Sequence, residues 1–189
     1  MVAEMGTFED LDFFLADVSN AYRSNKFSDV SFVLSDGVTI ETNRLMLALR
    51  SQYFATMFLF LGEGHTEKVV MECESNTFRL LLDYIWEGKI IFSSLELQQI
   101  LDLLENARLM CLERLVASIQ DYLSDILESA ELDLGESWTL LDFCANHRFE
   151  KLLDSVLRFI DSEFKLCSSE TSFLKLSADA IFCLYSAGK

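Results

Sequence analysis

Near the start of the chain an apolar side chain recurs every three or four residues, at Phe8, Leu11, Leu15, Val18 and Tyr22. This spacing places the five side chains along one face of a helix. Phe13 and Phe14 widen that face. The pattern predicts an amphipathic helix over residues 8–23, which packs either on its own domain or on a second surface.

The repeat then shortens, and apolar residues occupy every second position in two runs, at Val30, Phe32 and Leu34 and at Val38 and Ile40. Asp36-Gly37 lies between the runs. Two alternating runs around an Asp-Gly turn predict a β-hairpin. A third strand is predicted over residues 68–71.

The most apolar segment of the chain runs from Asn43 to Glu63. Ser51 divides it, and a serine hydroxyl here can accept a hydrogen bond from an N–H group at the start of a following helix. Two helices are therefore predicted, and the second is apolar on more than one face. Such a helix is either buried or shared between a core and a partner. The segment is too short and too interrupted to span a membrane, which takes about 20 apolar residues.

A fourth predicted helix starts at Ser75 or Asn76 and ends before Gly88, the residue type that commonly follows a helix end. Residues 90–92 are predicted as a short strand. Ser93 and Glu96 have the spacing of a capping box at the start of the next helix.

The remainder of the chain keeps the helical spacing of apolar residues. An acidic, glycine-containing stretch at residues 128–136 interrupts it and marks a predicted domain boundary. Only helices are predicted beyond that stretch. The whole pattern predicts an α+β module followed by an all-helical one.

Charge narrows the classes of partner. The 189 residues include 31 Asp and Glu against 15 Lys and Arg, a formal net charge of −16. Nucleic acid requires a basic surface that replaces its counterions, and anionic membranes attract basic segments. We therefore expect neither nucleic acid nor a membrane as a partner.

Cysteine usage indicates the compartment. The five cysteines are dispersed and form no Cys-x-x-Cys pair, which is typical of reduced thiols in an intracellular protein. Residues 1–14 lack the basic segment and apolar core of a secretory signal. We expect a cytoplasmic location, with the nucleus as the alternative.

Catalytic and metal chemistry have weak support in the sequence. Cys144 and His147 form the one neighbourhood of cysteine and histidine. A zinc site needs further ligands, and a nucleophile with its base needs a third, orienting group. The sequence predicts no enzyme, no metal site and no cofactor, with Cys144 as a buried thiol beside a surface histidine.

Four stretches together resemble the BTB/POZ domain family in their order and spacing: Phe27-Ser28-Asp29-Val30, then residues 43–48 (NRLMLA), 51–58 (SQYFATMF) and 78–90 (FRLLLDYIWEGKI). The resemblance covers residues 27–127. The helical remainder is similar to the BACK region that follows BTB domains in many ubiquitin-ligase adaptors. Among families with a BACK region, the chain resembles the BTB/POZ domain-containing protein 9 type.

The resemblance implies an α+β BTB/POZ fold, in which helices surround a short three-stranded sheet, followed by an all-helical BACK-like region. It implies an N-terminal dimerisation helix at residues 1–26 and a BTB/POZ domain at residues 27–127. Residues 128–189 would then be the BACK-like region, which we expect to be incomplete.

The resemblance also implies a non-catalytic adaptor. Proteins of this family form homodimers through the BTB domain and bind cullin-3, while another region recruits a substrate protein for ubiquitylation. The dimerisation residues implied here are Phe8, Leu11, Phe14, Leu15 and Val18. The cullin-binding residues implied are Tyr53, Phe54, Met57, Phe58, Phe60, Leu61 and Glu63. The sequence does not identify the substrate.

Three features depart from the family pattern. The family's cullin-binding motif is a hydrophobic residue, any residue and a glutamate, and Leu61-Gly62-Glu63 provides it in a loop shorter by about one residue. Gly62 adds backbone freedom that binding would have to restrict. Asn43 stands where the family often has a histidine, and we expect its side chain to hydrogen-bond Asp29.

The alternative function is a BTB scaffold dimer that recruits other proteins, such as transcriptional corepressors, and has no cullin role. The BACK-like region argues against this alternative, because the corepressor type usually leads into zinc fingers.

Overall fold

The computed structural model describes residues 10–61, 68–129, 132, 134–167 and 175–187. The helices within these residues are α1 (Leu11–Arg23), α2 (Arg44–Arg50), α3 (Gln52–Leu61), α4 (Ser75–Glu87), α5 (Leu97–Leu109), α6 (Glu113–Glu128), α7 (Leu134–His147), α8 (Glu150–Cys167) and α9 (Ala178–Ala187). The strands are β1 (Val30–Val33), β2 (Thr39–Thr42) and β3 (Lys68–Val70), and a short 3-10 helix covers Phe92–Ser94. None of the described helices is both long and apolar enough to cross a membrane.

The chain divides into two compact units. The first comprises Met1–Ile90 with Leu109–Leu112, and the second comprises Ile91–Arg108 with Glu113–Lys189. The described strands all belong to the first unit, and the secondary structure described in the second unit is helical. The predicted α+β class is confirmed. The predicted domain boundaries at residues 26 and 127 rest on motifs and composition, and they stay predictions.

The sheet of the first unit has the strand order β2-β1-β3. β1 and β2 form the predicted antiparallel hairpin, in which Phe32 lies opposite Ile40. β3 runs parallel to β1, with Val69 opposite Phe32. Because side chains alternate across a strand, Val30 and Phe32 both enter the core of the unit.

Asp36 joins the hairpin turn to α4. Gly37 has a φ of 81°, a conformation that glycine adopts without steric cost. One carboxylate oxygen of Asp36 accepts from the Val38 N–H at 3.2 Å, and the other accepts from the Ser75 N–H at 3.1 Å. Hydrogen bonding, to Ser75 above all, lowers the pKa of the Asp36 carboxyl. The turn and the start of α4 are thereby held by one side chain.

Three phenylalanines form the centre of the first unit. The Phe32 ring lies 5.7 Å from the Phe54 ring of α3, edge to face, and 5.1 Å from the Phe78 ring of α4. All three side chains are at most 1% exposed. Aromatic pairs at these distances are favourable beyond the area that they bury. This cluster decides which face of α3 points inward.

The chain after α4 departs from the predictions. Gly88 ends α4 in a left-handed conformation, as predicted. Residues 90–92 do not form a strand, and a 3-10 helix starts at Phe92 instead. The predicted capping box is also wrong, because the Glu96 N–H donates to the side-chain oxygen of Gln99 at 3.0 Å. With no strand beside it among the described residues, this stretch satisfies its backbone through short-range bonds.

The second unit is a stack of helices in which α8 packs on α6 and α7, and α9 packs on α7. Trp138 of α7 is fully buried. Ser177 precedes α9, and its hydroxyl accepts from the Ala180 N–H at 3.2 Å. The Ser177 N–H donates to Asp142 of α7 at 2.7 Å. A serine cap and a carboxylate therefore fix where α9 begins.

Candidate protein-interaction surfaces

Ser51 sets the position of α3. Its N–H ends α2 by donating to the Leu47 carbonyl. Its buried hydroxyl donates to the Met110 carbonyl at 2.6 Å and accepts from the Phe54 N–H at 3.2 Å. Ser51 is therefore the predicted N-cap, and it also ties the start of α3 to the segment at residues 109–112 of the same unit.

The side chains of α3 divide into inward and outward sets. Phe54 is fully buried, and Phe58, one turn later, is half-buried with its ring stacked 6.1 Å from that of Phe54. The Arg44 guanidinium lies 5.4 Å from the centre of the Phe58 ring, within range of a cation–π contact. Leu59 and Phe60 point away from this packing and are 83% and 87% exposed. The C-terminal end of α3 thus presents two large apolar side chains to solvent.

The residues implied for cullin binding divide in the same way. The implied binding role of Phe54 is corrected by its burial. Its side chain is 0% exposed, so it packs in the core and cannot contact a partner directly. Tyr53 is 38% exposed, and Met57 and Phe58 are half-buried. Leu61 ends α3 with a side chain outside the described set, and Glu63 lies outside the described residues. The binding role of the set stays a prediction.

Leu59 is not one of the implied binding residues, although it is among the most exposed side chains of α3. A signal for it exists in the sequence. With 3.6 residues per turn, orienting Phe54 inward turns positions 59 and 60 to the outside. Because nearly every residue of α3 is apolar, that orientation is visible only once the aromatic cluster is known.

The N-terminal half of α1 presents a second apolar surface, which we call the α1 stripe: Leu11, Phe14 and Leu15. These side chains are 63%, 61% and 50% exposed, in that order. Phe13 is 75% exposed, but it lies on the other side of the helix. Of the implied dimerisation residues, Leu11, Phe14 and Leu15 are therefore accessible to a partner. Val18 is half-buried, and Phe8 lies outside the described residues. Their role in dimerisation stays a prediction.

The C-terminal half of α1 is attached to α4. The Tyr22 ring stacks on Trp86 with centroids 5.3 Å apart, and its hydroxyl donates to Asp83 at 2.8 Å. Burial and this hydrogen bond raise the pKa of Tyr22. The C-terminal half of α1 is thus anchored to α4, while the N-terminal half carries the exposed α1 stripe.

Glu87 of α4 completes this attachment. Its carboxylate accepts from the Ser19 hydroxyl at 2.8 Å and from the Arg23 guanidinium at 3.0 Å. These hydrogen bonds lower the pKa of Glu87. The carboxylate is therefore favoured in its charged form, which is the form that holds α1.

The expected bond between Asn43 and Asp29 does not form. The Asn43 amide donates to the Phe27 carbonyl at 2.8 Å, and its oxygen caps α2 by accepting from the Met46 N–H at 3.2 Å. Asp29 accepts instead from the Arg44 N–H at 2.7 Å. Both side chains still fix the start of α2, each through backbone groups.

The neighbourhood of Cys144 and His147 is structural in its geometry. Burial raises the pKa of the Cys144 thiol to about 12. The His147 ring stacks on Phe143 at 4.4 Å, and its Nδ1 lies 3.4 Å from a Glu105 oxygen. Its side chain is 29% exposed, so the predicted surface histidine is in fact half-buried. Among the described residues no group of three or more potential ligands could hold a metal ion.

The family of the chain follows from comparison with known proteins. The family model "BTB/POZ domain" matches residues 19–127, which is more than half of the chain. The chain belongs to the BTB/POZ domain family. The resemblance stated from the sequence motifs is therefore confirmed. BTB/POZ is a protein-interaction domain, and no enzymatic family is indicated for this chain.

Relatives extend the similarity beyond the BTB/POZ domain. BTB/POZ domain-containing protein 9 of Drosophila melanogaster is 27% identical over 171 residues, which are 90% of this chain and 23% of that protein. Human Kelch-like protein 3 is 25% identical over 174 residues, 91% of this chain and 28% of that protein. The chain thus spans about a quarter of the length of the curated relatives that it matches.

Solved structures show the same fold. The BTB domain of human gigaxonin superposes with a TM-score of 0.53 at 24% identity, and the match covers 64% of this chain and 99% of that domain. The predicted BTB/POZ fold is confirmed, and the described residues beyond 127 are mostly helical. The BACK identity of that helical region stays a prediction.

Proposed function

We propose that this BTB/POZ protein is a non-catalytic adaptor that forms a homodimer and binds cullin-3, so that a substrate protein is recruited for ubiquitylation. The interaction role of the family and the resemblance to BTB–BACK adaptors support this proposal. The observation that carries it is the exposed end of α3. Leu59 and Phe60 lie there, directly before residues 61–63, where the family has its cullin-binding motif.

Exposed apolar side chains at adjacent positions favour burial against a partner. Fully burying a side chain such as leucine or phenylalanine is worth about 1.5–3 kcal/mol. Aromatic anchors commonly carry much of the energy of an interface. Phe60, 87% exposed, is suited to this role, and the Ser51 cap and buried Phe54 hold its helix in place beforehand. A helix that is already ordered loses less entropy on binding.

The α1 stripe supports the homodimer. A two-fold dimer buries the same patch on both chains, and a stripe of three large apolar side chains can be self-complementary. The attachment of α1 to α4 would hold the stripe in a fixed position. Contiguous exposed apolar surface of this kind commonly marks an interaction site.

The substrate and the compartment complete the proposal. In this family the substrate is recruited by another region, so we assign no substrate-binding residue here. We propose the cytoplasm as the working compartment, with the nucleus as the alternative. The four cysteines whose side chains the structure describes, Cys73, Cys111, Cys144 and Cys183, are free thiols, which suits either reducing compartment.

The proposal is tested by titrating the chain with the N-terminal region of cullin-3 in a calorimeter and by gel filtration of the mixture. We expect a dissociation constant in the submicromolar to micromolar range, as standard interfaces allow. Phe60→Asp should weaken binding about 30-fold or more, since an interface anchor is worth about 2 kcal/mol or more. Leu61→Asp tests the family motif itself in the same assay.

Phe182→Asp is the matched control, because Phe182 of α9 is also an exposed phenylalanine, at 69%. This variant should bind as the unchanged chain does. If the unchanged chain gave no heat in the calorimeter and did not co-elute with cullin-3, cullin-3 would be excluded as the partner. If such a chain were nevertheless a stable dimer, the corepressor-type scaffold would become the better explanation.

A further inference from the structure

A groove of about 430 Å³ lies beside β2 in the first unit. We call it the β2 groove. Its walls come from β2, the C-terminal end of α1 and the middle of α4, and its apolar lining is Ile40 and Leu82. These two side chains are 7% and 1% exposed, so the hydrophobic part of the groove is built into the core.

The backbone of β2 is open on the side away from β1. Within the described residues β2 is an outer strand bonded to β1 alone. The Leu34 N–H donates to the Val38 carbonyl at 2.9 Å, and bonded pairs alternate along an antiparallel ladder. The pairing therefore directs the N–H and C=O groups of Thr39 and Glu41 away from β1. Both residues are exposed and line the groove.

The lining of the groove carries two guanidinium groups, those of Arg23 and Arg79, and one carboxylate, that of Glu41. Glu41 is adjacent to Ile40 in β2, so its side chain lies on the opposite face of the strand from Ile40. Arg79 of α4 lines the groove and is exposed, and in the described part of the chain no hydrogen bond or ion pair holds its guanidinium. Arg23, also in the lining, is engaged by Glu87 at 3.0 Å. A guanidinium that no described carboxylate binds is an available site for one.

We propose that the β2 groove binds an extended segment of a partner protein as an added strand beside β2. The segment would carry an acidic residue two positions from an aliphatic one. Residues two apart share a face of a strand, so the aliphatic side chain can lie over Ile40 while the carboxylate reaches Arg79. The free backbone groups of Thr39 and Glu41 provide the ladder bonds, as in other strand-addition sites.

A second copy of β2 does not fit this description. In β2 the aliphatic Ile40 and the acidic Glu41 are adjacent, so they face opposite sides of the strand and cannot both enter the groove. The partner is therefore a different segment. The inference depends neither on dimerisation nor on cullin-3 binding.

The probe for this site is a fluorescein-labelled peptide, acetyl-Thr-Val-Thr-Glu-Thr-Val-Thr, whose valines and glutamate lie on one face of an extended strand. Fluorescence anisotropy with the full chain should show saturable binding. Replacing the peptide glutamate by glutamine, or Arg79 by glutamate in the protein, should each weaken binding about tenfold, since a charge-assisted hydrogen bond is lost. A peptide with lysine in place of glutamate should regain affinity for Arg79→Glu.

Arg114→Glu is the matched control, because it makes the same charge change at an exposed residue of α6 outside the groove lining. It should leave peptide affinity unchanged. Amide hydrogen exchange should slow at Thr39 and Glu41 when the peptide is bound. N-methylation of the peptide residues that face β2 should abolish binding, and N-methylation of the intervening residues should not.

Three results would overturn the proposal. The first is the absence of binding at millimolar peptide. The second is an equal loss of affinity in Arg79→Glu and Arg114→Glu, which would mean that the loss comes from the change in net charge and not from a contact with Arg79. The third is slowed exchange at Thr39 and Glu41 that grows with protein concentration without peptide, which would make a second copy of the chain the occupant.

Discussion

At the scale of single residues, Ser51 shows how much one buried hydroxyl can determine. It donates to the Met110 carbonyl and accepts from the Phe54 N–H, so both hydrogen-bonding roles of a hydroxyl are used. The first bond satisfies a backbone carbonyl, and the second satisfies an N–H that the helix itself leaves unbonded. Ser51 therefore both caps the start of α3 and fixes α3 within the first unit.

Ser51→Ala should destabilise the chain by about 2–3 kcal/mol. Losing an N-cap costs about 0.5–2 kcal/mol, and leaving a buried carbonyl unsatisfied costs about 1–3 kcal/mol. Urea unfolding followed by circular dichroism measures the change. Ser118→Ala is the control, because Ser118 is exposed and bonds only one turn back to Arg114, and it should change stability by less than about 0.5 kcal/mol. Equal effects in the two variants would contradict the role assigned to Ser51.

At the scale of elements, the features that sequence predicts well are those with a local chemical cause. Gly88 ends α4 and Ser51 caps α3 because each acts within its own turn. The orientation of α3 has no such cause, since apolar residues occupy almost all of its positions. The sequence therefore leaves Phe54 among the implied partner contacts and does not single out Leu59, whereas the structure buries Phe54 and exposes Leu59. The contact of Phe54 with Phe32, more than 20 residues earlier in the chain, determines which face of α3 is buried.

The same limit applies to the stretch between α4 and α5. Ile90, Ile91 and Phe92 have the composition of a strand, but a strand also needs a neighbour that sequence spacing does not reveal. Ser93 and Glu96 have the spacing of a capping box, yet Gln99 makes the bond to the Glu96 N–H. Side chains compete for the same backbone group, and the pattern alone does not identify which one binds.

The contact between α1 and α4 should depend on pH through Glu87. Hydrogen bonds from Ser19 and Arg23 lower the folded-state pKa of Glu87, so its stabilising contribution is complete above the unfolded-state pKa, about 4.3 for glutamate. The contribution is lost as pH falls through the lowered folded-state pKa. Since the contact is partly exposed, its contribution should stay below about 1 kcal/mol.

The measurement is the difference in melting temperature between the unchanged chain and Glu87→Gln at pH 7 and at successively lower pH values. We expect the unchanged chain to melt higher at pH 7 and the difference to shrink below pH 4. Glu113→Gln removes an exposed carboxylate of α6 and corrects for the general loss of negative charge. A difference between the chain and Glu87→Gln that grew on acidification would contradict the assigned sign.

At the scale of the whole molecule, three separate features face outward from the first unit: the α1 stripe, the end of α3 and the β2 groove. The first two are apolar and suited to contact with the surface of another protein. The third combines backbone hydrogen-bonding groups with a guanidinium. A net charge of −16 opposes nonspecific association between chains. In the proposed dimer, apolar burial must therefore exceed this repulsion, so we expect dimerisation to be sensitive to changes in the α1 stripe.

The double variant Leu11→Asp with Phe14→Asp should convert the proposed dimer to a monomer. Two buried anchors together are worth about 2.7 kcal/mol or more, so the dissociation constant should rise about a hundredfold or more. Removal of residues 1–26 is a less selective test, because it also deletes Ser19, Tyr22 and Arg23, which hold α1 to α4. The double variant leaves those three residues in place and so separates the interface from the attachment.

Light scattering coupled to gel filtration gives the mass directly, and dilution at raised salt distinguishes apolar burial from electrostatic attraction. Added salt screens the repulsion between two acidic chains, so the unchanged chain should dimerise more strongly at high salt and the double variant should remain monomeric. Phe182→Asp, with the same kind of exposed aromatic replaced in the second unit, should stay dimeric. A monomeric mass for the unchanged chain at every concentration would remove the α1 stripe as a dimer interface, and a dimeric mass for the double variant would locate that interface elsewhere.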